Sequence, residues 1–190
     1  LAGAYFDVTP LRKTTTNAAT FAATSGSATI TITDASHAAL VGDYVTFSGA
    51  ASLGGNITAA VLNAEYVIQT VVNVNSYTIT ATATANGSDT GNGGGSVTAK
   101  YQIHTGNANA VPLTGWGGGA WGTGVWGTGG TTQEPLRLWS QTNFGEDLVF
   151  APRGGAIYYW DSSTGVYPRG VELSTLSGAS NTPVIQNGVL

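Results

Sequence analysis

Apolar and polar residues alternate with period two in several short windows of the first hundred residues. Ile30 and Ile32 alternate with Thr29, Thr31 and Thr33, and Val45 and Phe47 alternate with Tyr44, Thr46 and Ser48. Tyr66, Ile68 and Val72 share a parity in a run rich in β-branched residues, and Tyr77, Ile79 and Ala81 stand against Thr78, Thr80 and Thr82. A last window sets Val97, Ala99, Tyr101 and Ile103 against Thr98, Lys100 and Gln102. Side chains two apart on a strand share a face, so each window predicts a strand with one buried side. Together they predict one small antiparallel unit. Its turns fall at Gly42-Asp43, Gly54-Gly55, 73–75 and the tract 86–95, where Gly, Asn and Asp favour tight backbone. The long threonine faces suit a surface that is solvated or covered by a neighbour. Only 59–65 has room for a helical turn, too short to stand alone.

The pattern changes at 105–135. Trp116, Trp121 and Trp126 each precede Gly in five-residue units, GWGGG, AWGTG and VWGTG. A spacing of five matches neither a strand face nor a helix stripe, so repeated turning is expected, with Gly supplying the backbone freedom. A long loop of this kind is commonly an assembly element, and a Trp ring removes a large apolar area from water while keeping an N–H to bond. Trp116, Trp121 and Trp126 are therefore the candidate subunit-interface residues, against the plainer reading of a loop tucked into its own domain. Beyond them, 136–139, 146–150 and 156–160 predict three strands of a meander, with turns at 143–145, 153–155 and 161–165. The organisation expected is a strand and linker at 1–27, a β-rich module at 28–104, the Gly/Trp-rich loop at 105–135, and a β-meander at 136–190 resembling part of a propeller blade. The fold class is all-β, a small antiparallel module inserted into part of a larger β-propeller-like body.

Composition narrows the functional classes. With 190 residues the chain can bury a real core, yet only 8% of it is charged. A surface so poor in charge has weak protection against association, and suits a protein whose faces are covered by partners. Six Lys and Arg against ten Asp and Glu leave a net charge of −4, so a basic footprint for tight nucleic-acid binding is not expected. There is no Cys, which excludes disulfides and thiolate metal sites. No apolar run approaches the roughly 18 residues of a membrane-spanning helix. The sequence has no Met and opens in mid-pattern at Leu1 to Phe6, which suggests a fragment of a longer polypeptide.

Candidate chemistry is thin. Glu146 and Asp147 are adjacent carboxylates, but glycoside hydrolysis needs two carboxyls facing each other across a bond, and strand neighbours point to opposite faces. Solvation at a turn or strand edge is the better account. His37 and His104 lack metal-site spacing and are expected at the surface or in turns. No G-x-S-x-G elbow supports a serine nucleophile. The GNGGGS stretch at 91–96 lacks the Lys and helix of a phosphate loop, and Asp161 to Gly165 has too few carboxylates for a calcium loop. No catalytic residue, cofactor or metal is therefore expected, and the chain is read as a non-enzyme.

Two stretches resemble known proteins. Residues 34–103, with Asp34 to His37, the run VGDYVTFSG at 41–49, Leu62-Asn63, Tyr66 to Ile68 and NSYTI at 75–79, resemble a β-rich module that recurs in bacteriophage structural proteins. Residues 115–161, with the Gly-Trp-Gly repeats and LRLWSQTNFGEDLVFAPRGGAIYYWD, are similar to tail proteins of the nozzle or tail-tubular kind that carry such an insert, and Tyr5 to Pro10 is similar to the strand end that precedes it. The resemblance implies a structural component of a short-tailed phage, localised in the virion and assembled in the host cytoplasm. It implies self-association into a ring around the DNA exit channel, a hexamer being the candidate, and contacts with neighbouring tail or adaptor proteins. DNA would pass without tight binding, and no membrane would be involved. Such proteins are several times longer, so this chain would supply one early blade and its insert. The chief rival is a host-surface glycan-binding module in which Trp139, Tyr158, Tyr159 or Trp160 stacks on sugar rings; a depolymerising tail enzyme is the second.

Overall fold

The structure is a computed structural model that describes residues 5–106, 137–183 and 185. Among them are twelve strands in three four-stranded sheets, joined by one helical turn, α1 (Ala59–Leu62), and two short 3-10 turns. The expected all-β fold is what the chain adopts. No helix of the described residues is long and apolar enough to cross a membrane.

Eight strands build a two-sheet sandwich. The first sheet orders β1 (Leu11–Thr16), β8 (Thr98–Gln102), β4 (Tyr44–Ser48) and β5 (Glu65–Val67). The second orders β2 (Thr20–Ala23), β3 (Thr29–Thr33), β7 (Ser76–Thr80) and β6 (Thr70–Asn73). All pairings within them are antiparallel. The alternation decides the layering: Ile30, Ile32, Tyr77 and Ile79 point inward from the second sheet and meet Val45, Phe47, Ala99 and Tyr101 of the first in one buried cluster. Phe21 and Phe47 close the gap edge to face, with ring centroids 5.0 Å apart. Full burial of each such aliphatic or aromatic side chain stabilises the fold by roughly 1.5–3 kcal/mol. The threonines of β3 and β7 line the outer side, where Thr70 and Thr78 hydroxyls bond across strands at 2.6 Å.

Two features depart from the sequence pattern. Tyr66, Ile68 and Val72 do not share one strand, because the run breaks after β5 and crosses between sheets. Gly42 donates to the Ile68 carbonyl on the first-sheet side at 3.0 Å, whereas the Gln69 N–H already reaches Thr78 of the second sheet at 2.9 Å. A register shift between Val71 and Asn73 then turns Val72 into solvent, and Val71 packs on the core in its place. The single antiparallel unit is thus two sheets. Strands β1 and β2, within the 1–27 stretch read as body strand and linker, pair in the sandwich through β8 and β3.

The third sheet is a sequential meander of β9 (Trp139–Phe144), β10 (Asp147–Pro152), β11 (Tyr158–Trp160) and β12 (Val171–Glu172). Its inner face seats Phe150 and Tyr158 on Ile103, which follows directly from β8, with Val8, Leu148 and Trp160 around them. The sheet is tied to the chain start as well: Gly170 donates to the Val8 carbonyl at 3.0 Å, and Ile103 donates to that of Pro10 at 3.2 Å.

Candidate functional site

Five aspartates organise the interior and the turns. Asp34, just past β3, is fully buried; its Oδ2 accepts from the Tyr101 hydroxyl at 2.5 Å and from the Thr15 hydroxyl at 2.5 Å. Tyr101 in turn meets the Tyr77 hydroxyl at 3.0 Å, so the bonded chain crosses from one sheet to the other. Burial away from water pushes both the Tyr77 and Tyr101 phenols well above their ordinary range, so both stay protonated. His37 packs edge-on to Tyr77 with centroids 4.9 Å apart. Its Nδ1 accepts from the Ala39 N–H at 3.1 Å and its Nε2 lies 3.1 Å from the Asn73 carbonyl, a pattern met by the neutral tautomer with the proton on Nε2. The expectation of a surface position for His37 is therefore overturned, while its place beside the turn at 35–36 stands: the ring is buried because its two nitrogens find backbone partners and it packs among Tyr77 and Tyr101.

Asp43 is also buried. It receives a forked bond from Arg12, with Nε at 2.8 Å and Nη2 at 3.2 Å, and backbone N–H groups of Leu40 at 2.9 Å and His104 at 3.0 Å. It thereby fixes β1 and the exit from β8 around one turn. Asp89 holds the 86–95 tract against the loop before α1, accepting from Ile57 at 2.8 Å and Asn86 at 2.5 Å. Desolvation opposes its ionisation, but the backbone N–H groups of Asn86, Ile57 and Asn56 outweigh it and hold the carboxyl below its ordinary value. Gly54, at φ +107°, lies so close to the Ser88 carbonyl that no side chain fits there.

Asp147 does not face Glu146 across a cleft. Its carboxylate takes the Tyr159 hydroxyl, then the Ser162 N–H and hydroxyl, each of these last two at 2.9 Å. The same bonds, Tyr159 foremost, hold Asp147 below the ordinary carboxylate range, and the Tyr159 phenol is pushed up to about 12 chiefly by its bond to Asp147. Asp161 caps the following 3-10 turn through Ser163 at 2.8 Å. Among the described residues, no group of His, Asp and Glu is arranged to hold a metal ion.

The surfaces are more informative than the interior. Register puts Phe144, Val149, Tyr159 and Val171 on the outer face of the third sheet, with Phe144 71% and Val171 41% exposed. The aromatic candidates for sugar stacking fare unevenly. Tyr158 is buried, Tyr159 is bonded to Asp147, and Trp160 donates its Nε1 to the Pro168 carbonyl at 2.9 Å. Trp139 lies over Phe150 at 6.0 Å and donates to the Thr105 carbonyl at 3.0 Å. A different pair, Phe6 and Tyr167, stands at the surface with ring centroids 5.5 Å apart at 88°. Its partners come from opposite ends of the chain, so no local sequence signal could have joined them. The interface candidates Trp116, Trp121 and Trp126 lie outside the described residues.

No family model matches the chain, and no curated protein does. Among solved structures the chain is similar to the phage phi92 endosialidase, at 15% sequence identity and a TM-score of 0.39. The match covers 86% of this chain and 24% of that one, so the chain spans about a quarter of that protein's length.

Proposed function

We propose that the chain is an assembly component of a bacteriophage tail, with the third sheet belonging to the tail body and the sandwich standing on it as an outward module. One observation carries the reading: the outer face of the meander carries Phe144, Val149, Tyr159 and Val171 among the polar Ser140, Thr142 and Asp147. Its inner face rests on Ile103 and Val8, and on the outer face Phe144 and Val171 stay exposed, at 71% and 41%. Apolar side chains exposed on that outer face gain by being covered, and another protein sheet or subunit is the cover proposed. The resemblance of 115–161 to nozzle proteins makes a propeller-like ring body the form proposed for it. The low charge of the chain supports packing over solvation. Each of the five organising aspartates is engaged in holding turns and strands, which favours a structural role over a hydrolytic one. Purified phage particles from the source are expected to contain this polypeptide in multiple copies. Particles lacking it, or a recombinant chain that cleaves host polysaccharide, would overturn the proposal.

A second reading, a host-surface glycan-binding module, is favoured by one observation. The Phe6–Tyr167 pair stands at the surface on two segments that are bonded together where Gly170 donates to the Val8 carbonyl.

A further inference from the structure

Residues 6–8 and 167–170 run side by side through three successive contacts. Phe6 meets Tyr167, Asp7 pairs with Arg169 at 2.6 Å, and the Val8 carbonyl accepts from Gly170 at 3.0 Å. The last contact is tight, since a side chain at Gly170 would strike the Phe150 ring. Arg169 is fixed further by the Thr9 carbonyl at 3.1 Å and the Gln102 side chain at 3.1 Å, and Asp7 by the Thr9 N–H at 2.9 Å. An aromatic pair and an ion pair are thus positioned beside each other on a rigid base.

The Tyr167 ring is 83% exposed and Tyr5, next to Phe6, is 98% exposed. Aromatic rings held exposed beside fixed polar groups offer a stacking surface to a ligand. We propose that this platform binds a neutral pyranose of a surface glycan. The proposal rests on the glycan-binding reading and goes beyond it by naming the site and the class of sugar. The C–H face of a pyranose packs on an aromatic ring, and the ring hydroxyls need fixed planar partners at its edge. Asp7 supplies acceptor lone pairs beyond those taken by Thr9 and Arg169, and the Tyr167 hydroxyl supplies both a donor and an acceptor. Charge selects against acidic sugars. The Arg169 cation is neutralised by Asp7, and the carboxylate is the more open member of the pair, at 56% against 29% exposure. An added anion would meet Asp7 first, in a chain already at −4.

The test is binding of the full chain to an array holding neutral hexose and N-acetylhexosamine oligosaccharides beside their sialylated and uronic-acid counterparts. Saturable binding to a neutral subset is expected. Tyr167→Ala is expected to weaken it by about ten-fold or more, and Tyr167→Phe by no more than about three-fold, because stacking survives without the hydroxyl. Asp7→Ala is expected to lose binding, with unchanged circular dichroism excluding unfolding. Wild-type binding that Tyr167→Ala leaves intact would overturn this site while keeping the glycan-binding reading. Preference for the acidic glycans would overturn the neutral assignment, and no saturable binding at all would remove both the site and that reading.

Discussion

The Tyr101 hydroxyl donates to the Asp34 carboxylate at 2.5 Å, inside the sandwich and out of contact with water. Strand β8 of the first sheet is thereby bonded to the end of β3 in the second. A buried carboxylate that loses a donor keeps its desolvation cost without compensation, and its other oxygen, Oδ1, has no protein partner to take up the difference.

Tyr101→Phe is therefore expected to destabilise the chain by about 2–3 kcal/mol, since only the Thr15 hydroxyl would still bond Oδ2. Urea unfolding followed by tryptophan fluorescence measures this. A shift below about 0.5 kcal/mol would mean that the bond contributes nothing in solution.

Gly93 sits at φ +84°, and a Cβ there would drive into the Phe21 ring of the core. Gly93→Ala combines left-handed backbone strain with overpacking and is expected to cost about 2–4 kcal/mol. Gly145 has φ +67° but open space around it, so Gly145→Ala should cost only about 1–2 kcal/mol. Thermal unfolding of the two variants should rank them in that order.

Ile103 is buried against Phe150 and Tyr158, where the sandwich meets the third sheet. Ile103→Ala is expected to cost about 2–5 kcal/mol through the cavity it leaves. The loss should be uneven. Amide hydrogen exchange in β10 and β11 should accelerate more than in β3 and β7, whose packing does not involve this side chain.

The Tyr159–Asp147 bond links stability to pH at both ends of the scale. Asp147 is held below its ordinary value, so its contribution is present above about pH 4 and is lost as pH falls through the lowered value. Tyr159 is pushed up to about 12. Its contribution is present below the ordinary phenol value of about 10, and is lost as pH rises from there toward that upper limit. The stability difference between wild type and Tyr159→Phe should accordingly be flat near neutrality and shrink in acid and in strong alkali. Denaturant midpoints taken across pH check it, and a difference independent of pH would refute the linkage.

Much of the sheet content was legible because strand alternation is a local property. Thr29 to Thr33 and Ser76 to Thr80 form strands with the faces their alternation implies, and 59–62 forms a helical turn. The run from Tyr66 to Val72 misled because period two persists in the sequence while the chain changes sheets at Ile68, where the partner strand alters. His37 misled because burial of an imidazole depends on carbonyl and ring neighbours distant in sequence. Asp43 and Asp89 fell in predicted turns, and nothing in their spacing, or in that of Asp34, told that they would be buried.

By itself the sequence determined that this chain is all-β, poor in charge, and without Cys, because alternation and composition act residue by residue. Only the tertiary structure decided which strands share a sheet, that Asp34 joins Tyr101, and that Phe6 meets Tyr167 across 160 intervening residues. Pairing, burial and surface recognition are set by groups remote along the chain, and their positions are fixed only when the whole core closes.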